Sequence, residues 1–437
     1  MASDDAPRPT TPRPTTPRST TPTPGSTTPT PRSTTPRSTT ASSGRPGTVD
    51  HALGILADLV AFPTVTSESN LELVTHAEAI LTTVGARCRR TWNADGDKAN
   101  LFATIGPDVD GGVVLSGHTD VVPADDDLWA TPPFEAVRVE ATATDDAIHG
   151  RGTTDMKGFI ACVLSMAPMF AIADLQRPVH VALTFDEEVG CHGAPLLIED
   201  LAASGLRPSA AIIGEPTMME VVTAHKGCYE YTTTITGVAG HGSSPDLGVN
   251  SIWHAARYVM RLHALAQDLR ERAPADSPFT PPESTLSIGT IHGGQARNVV
   301  PGSCSFDWEV RPVNAADAAH VRTAVARLED EEGARLRALH PDAAITTTSD
   351  GEVGGLEAPT DSAAVALARR LLDDPVLAVV PYNTEAGLFQ DAGIPAVVCG
   401  PGSIGVAHQP DEYVEVSQLA RCLQMLDRLV AELSTPA

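Results

Sequence analysis

This 437-residue chain has no run of 18 consecutive apolar residues, which argues against a membrane-spanning helix. Net positive charge is missing too. Its 30 Lys and Arg stand against 55 Asp and Glu, a formal charge of −25, so neither nucleic acid nor an anionic membrane surface is expected as a partner. Cysteine is sparse: the seven residues at 88, 162, 191, 228, 304, 399 and 422 are odd in number and contain no Cys-x-x-Cys pair. That usage excludes a disulfide framework and a thiolate zinc site, and it fits reduced thiols in a cytoplasmic protein. His-Glu-x-x-His, Gly-x-Ser-x-Gly and Walker sequences are absent as well. One Gly-x-Gly-x-x-Gly, Gly400–Gly405, follows an apolar run, but Val406-Ala407-His408-Gln409-Pro410 after it does not open a helix. Dinucleotide binding is therefore not expected there.

What is present divides unevenly. Residues 1–47 repeat Thr-Thr-Pro-Arg and Thr-Pro with almost no large apolar side chains, too little to offset the entropy of ordering, and read as a disordered arm. The arm lacks the apolar core of a signal peptide. It is formally +4, which leaves −29 on the remainder. That remainder is too long for one comfortable core and is expected to form two domains.

From 49 to about 226, helical spacing alternates with short apolar runs. Helices are expected over 49–62, 68–84, 159–173 and 194–204, and strands over 100–105, 113–119, 179–185 and 210–214. This alternation predicts an α/β fold with a mainly parallel sheet covered by helices on both faces. After 226 the order becomes strand 229–237, helix from 250, strands 284–291 and 303–312, helix 316–339 and strand 344–349. That is the βαββαβ order of a ferredoxin-like unit inserted in the larger domain. Helices at 361–372, 384–392 and 416–433 and strands at 376–380 and 394–399 then resume the first pattern.

Candidate ligands collect where these strands end, at the edge that faces the ligand crevice of an open α/β sheet. His118 and Asp120 follow the run Val113–Gly117; two residues apart, they share a face if the backbone stays extended, so the carboxylate can hold one ring nitrogen while the other faces a metal. Asp155 lies at a loop-to-helix junction, Glu188 and Glu215 follow strands, and His408 lies in the loop after 394–399. Two imidazoles and three carboxylates suit two divalent ions, and nitrogen and oxygen donors favour zinc, with cobalt or manganese as substitutes. In extended backbone Glu187 and Glu188 point to opposite sides, so one can bind metal while its neighbour handles the proton.

Gly117-His118-Thr119-Asp120-Val121-Val122-Pro123, Gly150-Arg151-Gly152-Thr153-Thr154-Asp155-Met156-Lys157-Gly158, Asp186-Glu187-Glu188-Val189-Gly190, Gly214-Glu215-Pro216-Thr217 and Ala407-His408-Gln409-Pro410-Asp411-Glu412 resemble, in order, the motifs of the di-zinc aminoacylase and carboxypeptidase family. The resemblance covers roughly residues 50–435. It implies two divalent metal ions, most readily Zn2+ with Co2+ as an alternative: His118, Asp155 and Glu215 on one, and Asp155, Glu188 and His408 on the other. Glu187 would be the general acid/base, and Asp120 the residue that orients His118. Family members dimerise through the inserted domain, which implies a homodimer; His241, in Gly240-His241-Gly242-Ser243-Ser244-Pro245, would reach the partner's site and steady the oxyanion.

The implied organisation is an arm over 1–47, a catalytic domain in two parts over 48–226 and 346–437, and an inserted dimerisation and lid domain over 227–345. Ala224-His225-Lys226-Gly227, His292-Gly293-Gly294, Asn383-Thr384-Glu385-Ala386 and Gly400-Pro401-Gly402-Ser403-Ile404 look most like the branch of the family that deacetylates N2-acetyl-L-ornithine. On that resemblance Glu385 pairs with the substrate ammonium, while Asn298 and Arg311 hold its α-carboxylate. Rival readings are the same chemistry on another N-acyl amino acid or a dipeptide, and a non-catalytic binding protein on this fold.

Overall fold

The computed structural model describes residues 44–436 other than 143, 144, 358, 360 and 374. Most of the Thr/Pro arm, residues 1–43, lies outside the described residues. The aliphatic run at Val113 forms the strand Val113–His118, buried along its whole length. It pairs in parallel with Val179–Thr184 on one side and Ala210–Ile213 on the other, and Ala210–Ile213 pairs in parallel with Ala396–Val398. Antiparallel strands finish the edges: Ala99–Ile105 with Arg87–Trp92 beyond it, and Val221–His225 beside Ala396–Val398. The sheet thus has the expected parallel centre, within nine strands of mixed direction.

Successive residues of the central strands face opposite layers. Val113, Leu115, Val181 and Ile212 pack with helices Val49–Val60, Leu71–Thr83, Gly158–Ile172 and Val416–Leu433. Val114, Ala182 and Ile213 pack with Gly193–Ser204 and Ala386–Asp391 on the other face. The helix Gly158–Ile172 is apolar all round and buried from Gly158 through Ala167, as a core helix should be. By length and hydropathy the segment Thr153–Ile172 could cross a membrane, yet 78% of its apolar window is buried inside the fold, as befits a core helix.

The remaining large sheet is antiparallel, in the order Thr285–Gly293, Ser303–Arg311, Cys228–Thr236, Ala344–Val353. Its strands and helices follow in the βαββαβ order read from the sequence. Tyr229, Tyr231, Phe306, Trp308 and Val310 on one face pack against helices Ser251–Glu271 and Ala315–Leu339, a core of their own. Asn250 and Asn314 cap those helices by accepting the backbone N–H of Trp253 and Asp317. The opposite face, carrying Glu230, Glu309 and Arg311, borders a cavity at the edge of the central sheet. A third sheet, Tyr413–Glu415 with Asp145–His149 and Val137–Thr142, was not expected from the sequence.

Candidate metal centre

His118 is the last residue of its strand and almost fully buried. Its Nδ1 lies 2.9 Å from the backbone carbonyl of Asp120, with the Asp120 carboxylate farther off at 3.7 Å. The strand ends at His118, and the His118 ring meets the Asp120 carbonyl in preference to the carboxylate. The Asp120 carboxylate instead accepts the backbone N–H groups of Glu187 and Glu188, each at 3.2 Å. It therefore ties the His118 turn to the acidic turn.

The Nε2 atom of His118 points inward, 2.9 Å from Asp155 Oδ1 and 3.6 Å from Glu215 Oε1. His408 Nε2 lies 3.4 Å from the other oxygen of Asp155 and 3.0 Å from Glu188 Oε2. Asp155 thus offers one oxygen to each imidazole, the disposition of a bridging carboxylate. Ligand atoms of His118, Asp155 and Glu188 lie within 4.8 Å of one another, as do those of His118, Glu187 and Glu215. Strand geometry does not continue through Glu187 and Glu188. The strand ends at Thr184, Asp186 turns the chain at φ 54°, and both glutamates line the cavity.

These residues fit a pair of divalent cations. The donors are nitrogen and oxygen only, and Glu215 is 4% exposed while its Oε1 has no hydrogen-bond partner among the described residues, a position that in a buried site calls for a ligand. Charge balance points the same way. Burial pushes the Glu187 and Glu215 carboxyls well above the ordinary carboxylate range, and neighbouring acids add to the rise. Burial alone would lower His118, but Glu215 and Asp155 outweigh it and hold the ring well above the usual imidazole range. Hydrogen bonds to Asp155 and Glu188 raise His408 to about 10. The cluster draws positive charge into a low-dielectric site, and divalent cations supply it.

The cavity is about 300 Å³ and is lined by Asp155, Glu187, Glu188, Glu215 and His408 on one side and by Cys228, Glu230, Arg311, Tyr382 and Asn383 on the other. Arg311 donates to Glu309 at 2.8 Å and to Asn383 Oδ1 at 3.2 Å. Glu385, 1% exposed, lies behind the His118 strand within 3.4 Å of Ser116 Oγ and is not among the lining residues. His241 and Asn298 are exposed and also stand outside the cavity lining, beside each other, with Gly242 N–H donating to the Asn298 carbonyl at 2.8 Å.

Sequence reasoning assigned no role to Glu412. Its carboxylate accepts the backbone N–H groups of Gly152, Thr154 and Asp155 at 2.9, 2.9 and 3.1 Å and the Arg151 guanidinium at 2.7 Å. It fixes the turn that presents Asp155. Its place four residues after His408 was the available signal, but which donors it meets is a tertiary matter. Gly402, at φ 87°, belongs to the Gly-x-Gly-x-x-Gly stretch; a Cβ there would fall 1.9 Å from Thr154 Oγ1. At that position the glycine serves close packing behind the Asp155 turn.

Residues 114–432 match the model of peptidase family M20/M25/M40. The chain belongs to that family. An acetylornithine deacetylase of Myxococcus xanthus is 36% identical over 389 residues, 86% of this chain and 96% of the relative. An acetylornithine deacetylase of Shigella sonnei is 37% identical over 325 residues, 73% of this chain and 79% of the relative. Among solved structures, the metallo-carboxypeptidase Sso-CP2 of Sulfolobus solfataricus superposes with a TM-score of 0.68 at 16% identity, covering 88% of this chain and 99% of that one. The Bacillus subtilis YXEP protein, described as a dinuclear metal-binding peptidase of the family, superposes at 0.58 with 17% identity, covering 89% and 99%. The chain is a metal-dependent hydrolase acting on amides.

Proposed function

We propose that the chain removes the acetyl group of N2-acetyl-L-ornithine, releasing acetate and L-ornithine, and so serves arginine biosynthesis. The observation that carries this reading is a relative named for that activity, matched along 96% of its length. His118, Asp155 and Glu215 would hold one divalent cation and Asp155, Glu188 and His408 the other, zinc by preference and cobalt as a substitute. When bound, the pair supplies Lewis acidity at the amide carbonyl and a more acidic water.

Arg311 receives the substrate's α-carboxylate at the far wall of the cavity. Glu187 takes a proton onto a carboxylate oxygen from the attacking water as the water oxygen bonds to the acetyl carbon. It returns that proton to the leaving nitrogen as the carbon–nitrogen bond breaks, and the second proton of the water passes from the nascent carboxylic acid to the amine, giving acetate and the ammonium. Asp120 holds Glu187 in register through its backbone N–H. Glu385, buried against Ser116 Oγ and outside the cavity lining, is not placed to pair with the substrate ammonium.

The reading extends to a homodimer formed through residues 227–345, with the catalytic domain in its two parts, 48–226 and 346–437. The exposed Trp253, Met260 and Ile291 beside the edge strand Thr285–Gly293 support that interface; His241, with Asn298 next to it, would enter the partner's cavity and steady the oxyanion. Seven unpaired cysteines support a cytoplasmic location. Assaying the metal-loaded protein on N-acetyl-L-ornithine, N-acetyl-L-methionine and N-succinyl-diaminopimelate tests the substrate. The highest kcat/KM is expected for acetylornithine; a higher value for either competitor replaces it.

A further inference from the structure

Glu230 lies in the cavity wall opposite the metal-ligating cluster, in the strand Cys228–Thr236. Its side chain is half-buried; among the described residues it has no ion pair within 4.0 Å and no side-chain hydrogen bond, only the longer-range attraction of the Arg311 guanidinium. The other acids of the cavity are committed. Asp155, Glu188 and Glu215 face the cations, Glu187 carries the proton in flight, and Glu309 is held by Arg311 at 2.8 Å. Glu230 also sits directly across from Glu309 in the strand register. Like charges in that relation destabilise a sheet; the Arg311 guanidinium serves both glutamates but of the two bonds only Glu309, so Glu230 keeps a carboxylate that can take a positive ligand.

A metal ion is a poor candidate for this spot, although Cys228, Glu230 and Glu309 offer ligand atoms within 4.8 Å of one another. The Arg311 guanidinium already occupies Glu309, so a metal ion there would have to displace it. An organic cation on a flexible chain needs only the Glu230 carboxylate. Arg311, on the neighbouring strand, would hold the α-carboxylate of the same molecule, and three methylenes would carry a terminal ammonium across to Glu230.

We propose that Glu230 is the specificity-determining residue of this cavity, selecting acyl amino acids with a positively charged side chain and repelling those with a negative one. A second hollow beyond Glu230 is lined by Asp307 and Asp350, so a longer cationic side chain would meet further carboxylates there. The inference rests on the amidohydrolase reading of the cavity but not on turnover of one substrate.

Calorimetric titration of the full-length, metal-loaded protein with L-ornithine and with L-norvaline, which differ only in the ammonium group, tests it. The wild type is expected to bind ornithine at least about tenfold more tightly, a modest value for a partly buried charge-assisted contact. Glu230→Gln should bring the two affinities within about twofold, and Glu230→Asp should keep the preference at reduced strength. A wild type without the preference, or a preference unchanged in either variant, overturns the proposal. Turnover of N-acetyl-L-ornithine, measured alongside, reports on the substrate separately: no turnover with the ornithine preference intact retires acetylornithine and keeps Glu230.

Discussion

The Glu412 carboxylate is buried and accepts four hydrogen bonds, three of them from backbone that leads into Asp155. Glu412→Gln would turn an amide N–H2 toward the Gly152 N–H and the Arg151 guanidinium. Metal affinity should fall about 10- to 100-fold, the usual effect of removing a partner that orients a ligand. Competition with a chromophoric chelator measures it, and unchanged affinity would contradict the role. Glu187→Gln should leave two ions bound while kcat drops by about a hundred- to ten-thousand-fold, the range for loss of a general acid/base; steady-state kinetics with metal analysis checks both. Away from the site, His180 is buried against Phe102 with Nδ1 on Thr104 Oγ1, and burial lowers it to about 4. The unfolded chain therefore takes up a proton that the folded chain refuses. His180 contributes stability above about pH 6.5 that is lost as pH falls toward 4, on the order of 3 kcal/mol. Denaturant midpoints at pH 7 and 4.5 should differ more for the wild type than for His180→Asn.

At the scale of elements, the long helix Ala315–Leu339 starts where Asn314 accepts the Asp317 N–H at 2.8 Å. Asn314→Ala should lower stability by about 1 kcal/mol, read as a drop in the thermal midpoint. Such elements are legible because their apolar positions repeat: the strands at 113, 179 and 210 and the helices at 158, 251 and 416 lie within a few residues of their expected ends. The strand Arg87–Trp92 escaped notice because an edge strand of Arg-Cys-Arg-Arg-Thr-Trp has no buried face to impose a period. Val221–His225 was hidden by a conspicuous neighbour, since its apolar pair runs straight into Ala224-His225-Lys226-Gly227. Tyr413–Glu415 is three residues long and pairs with Asp145–His149, far away in the chain. Its partner could not be inferred from local pattern. The residues proposed as ligands are legible because each stands at the end of a readable strand or in a readable motif, whereas φ of 54° at Asp186 and 61° at His408 has no signature in composition.

At the scale of the whole molecule, the cavity wall comes from both large sheets, so filling it with cations ties catalytic residues to a fixed frame. Removing the ions with a chelator should lower the thermal midpoint; occupancy at 100 times the dissociation constant contributes about 2.7 kcal/mol. A scan with and without chelator measures the shift, and identical curves would mean that the cluster is loaded only weakly. His408 and Glu412 leave the fold on one short stretch, yet His408 faces Glu188 while Glu412 secures the turn bearing the shared Asp155. On the proposed ligand set, occupancy of the two positions is linked through Asp155. A single proteolytic cut between Ser403 and Gln409 should release both ions in one step, and metal titrated into the intact protein should enter cooperatively instead of filling one position and then the other.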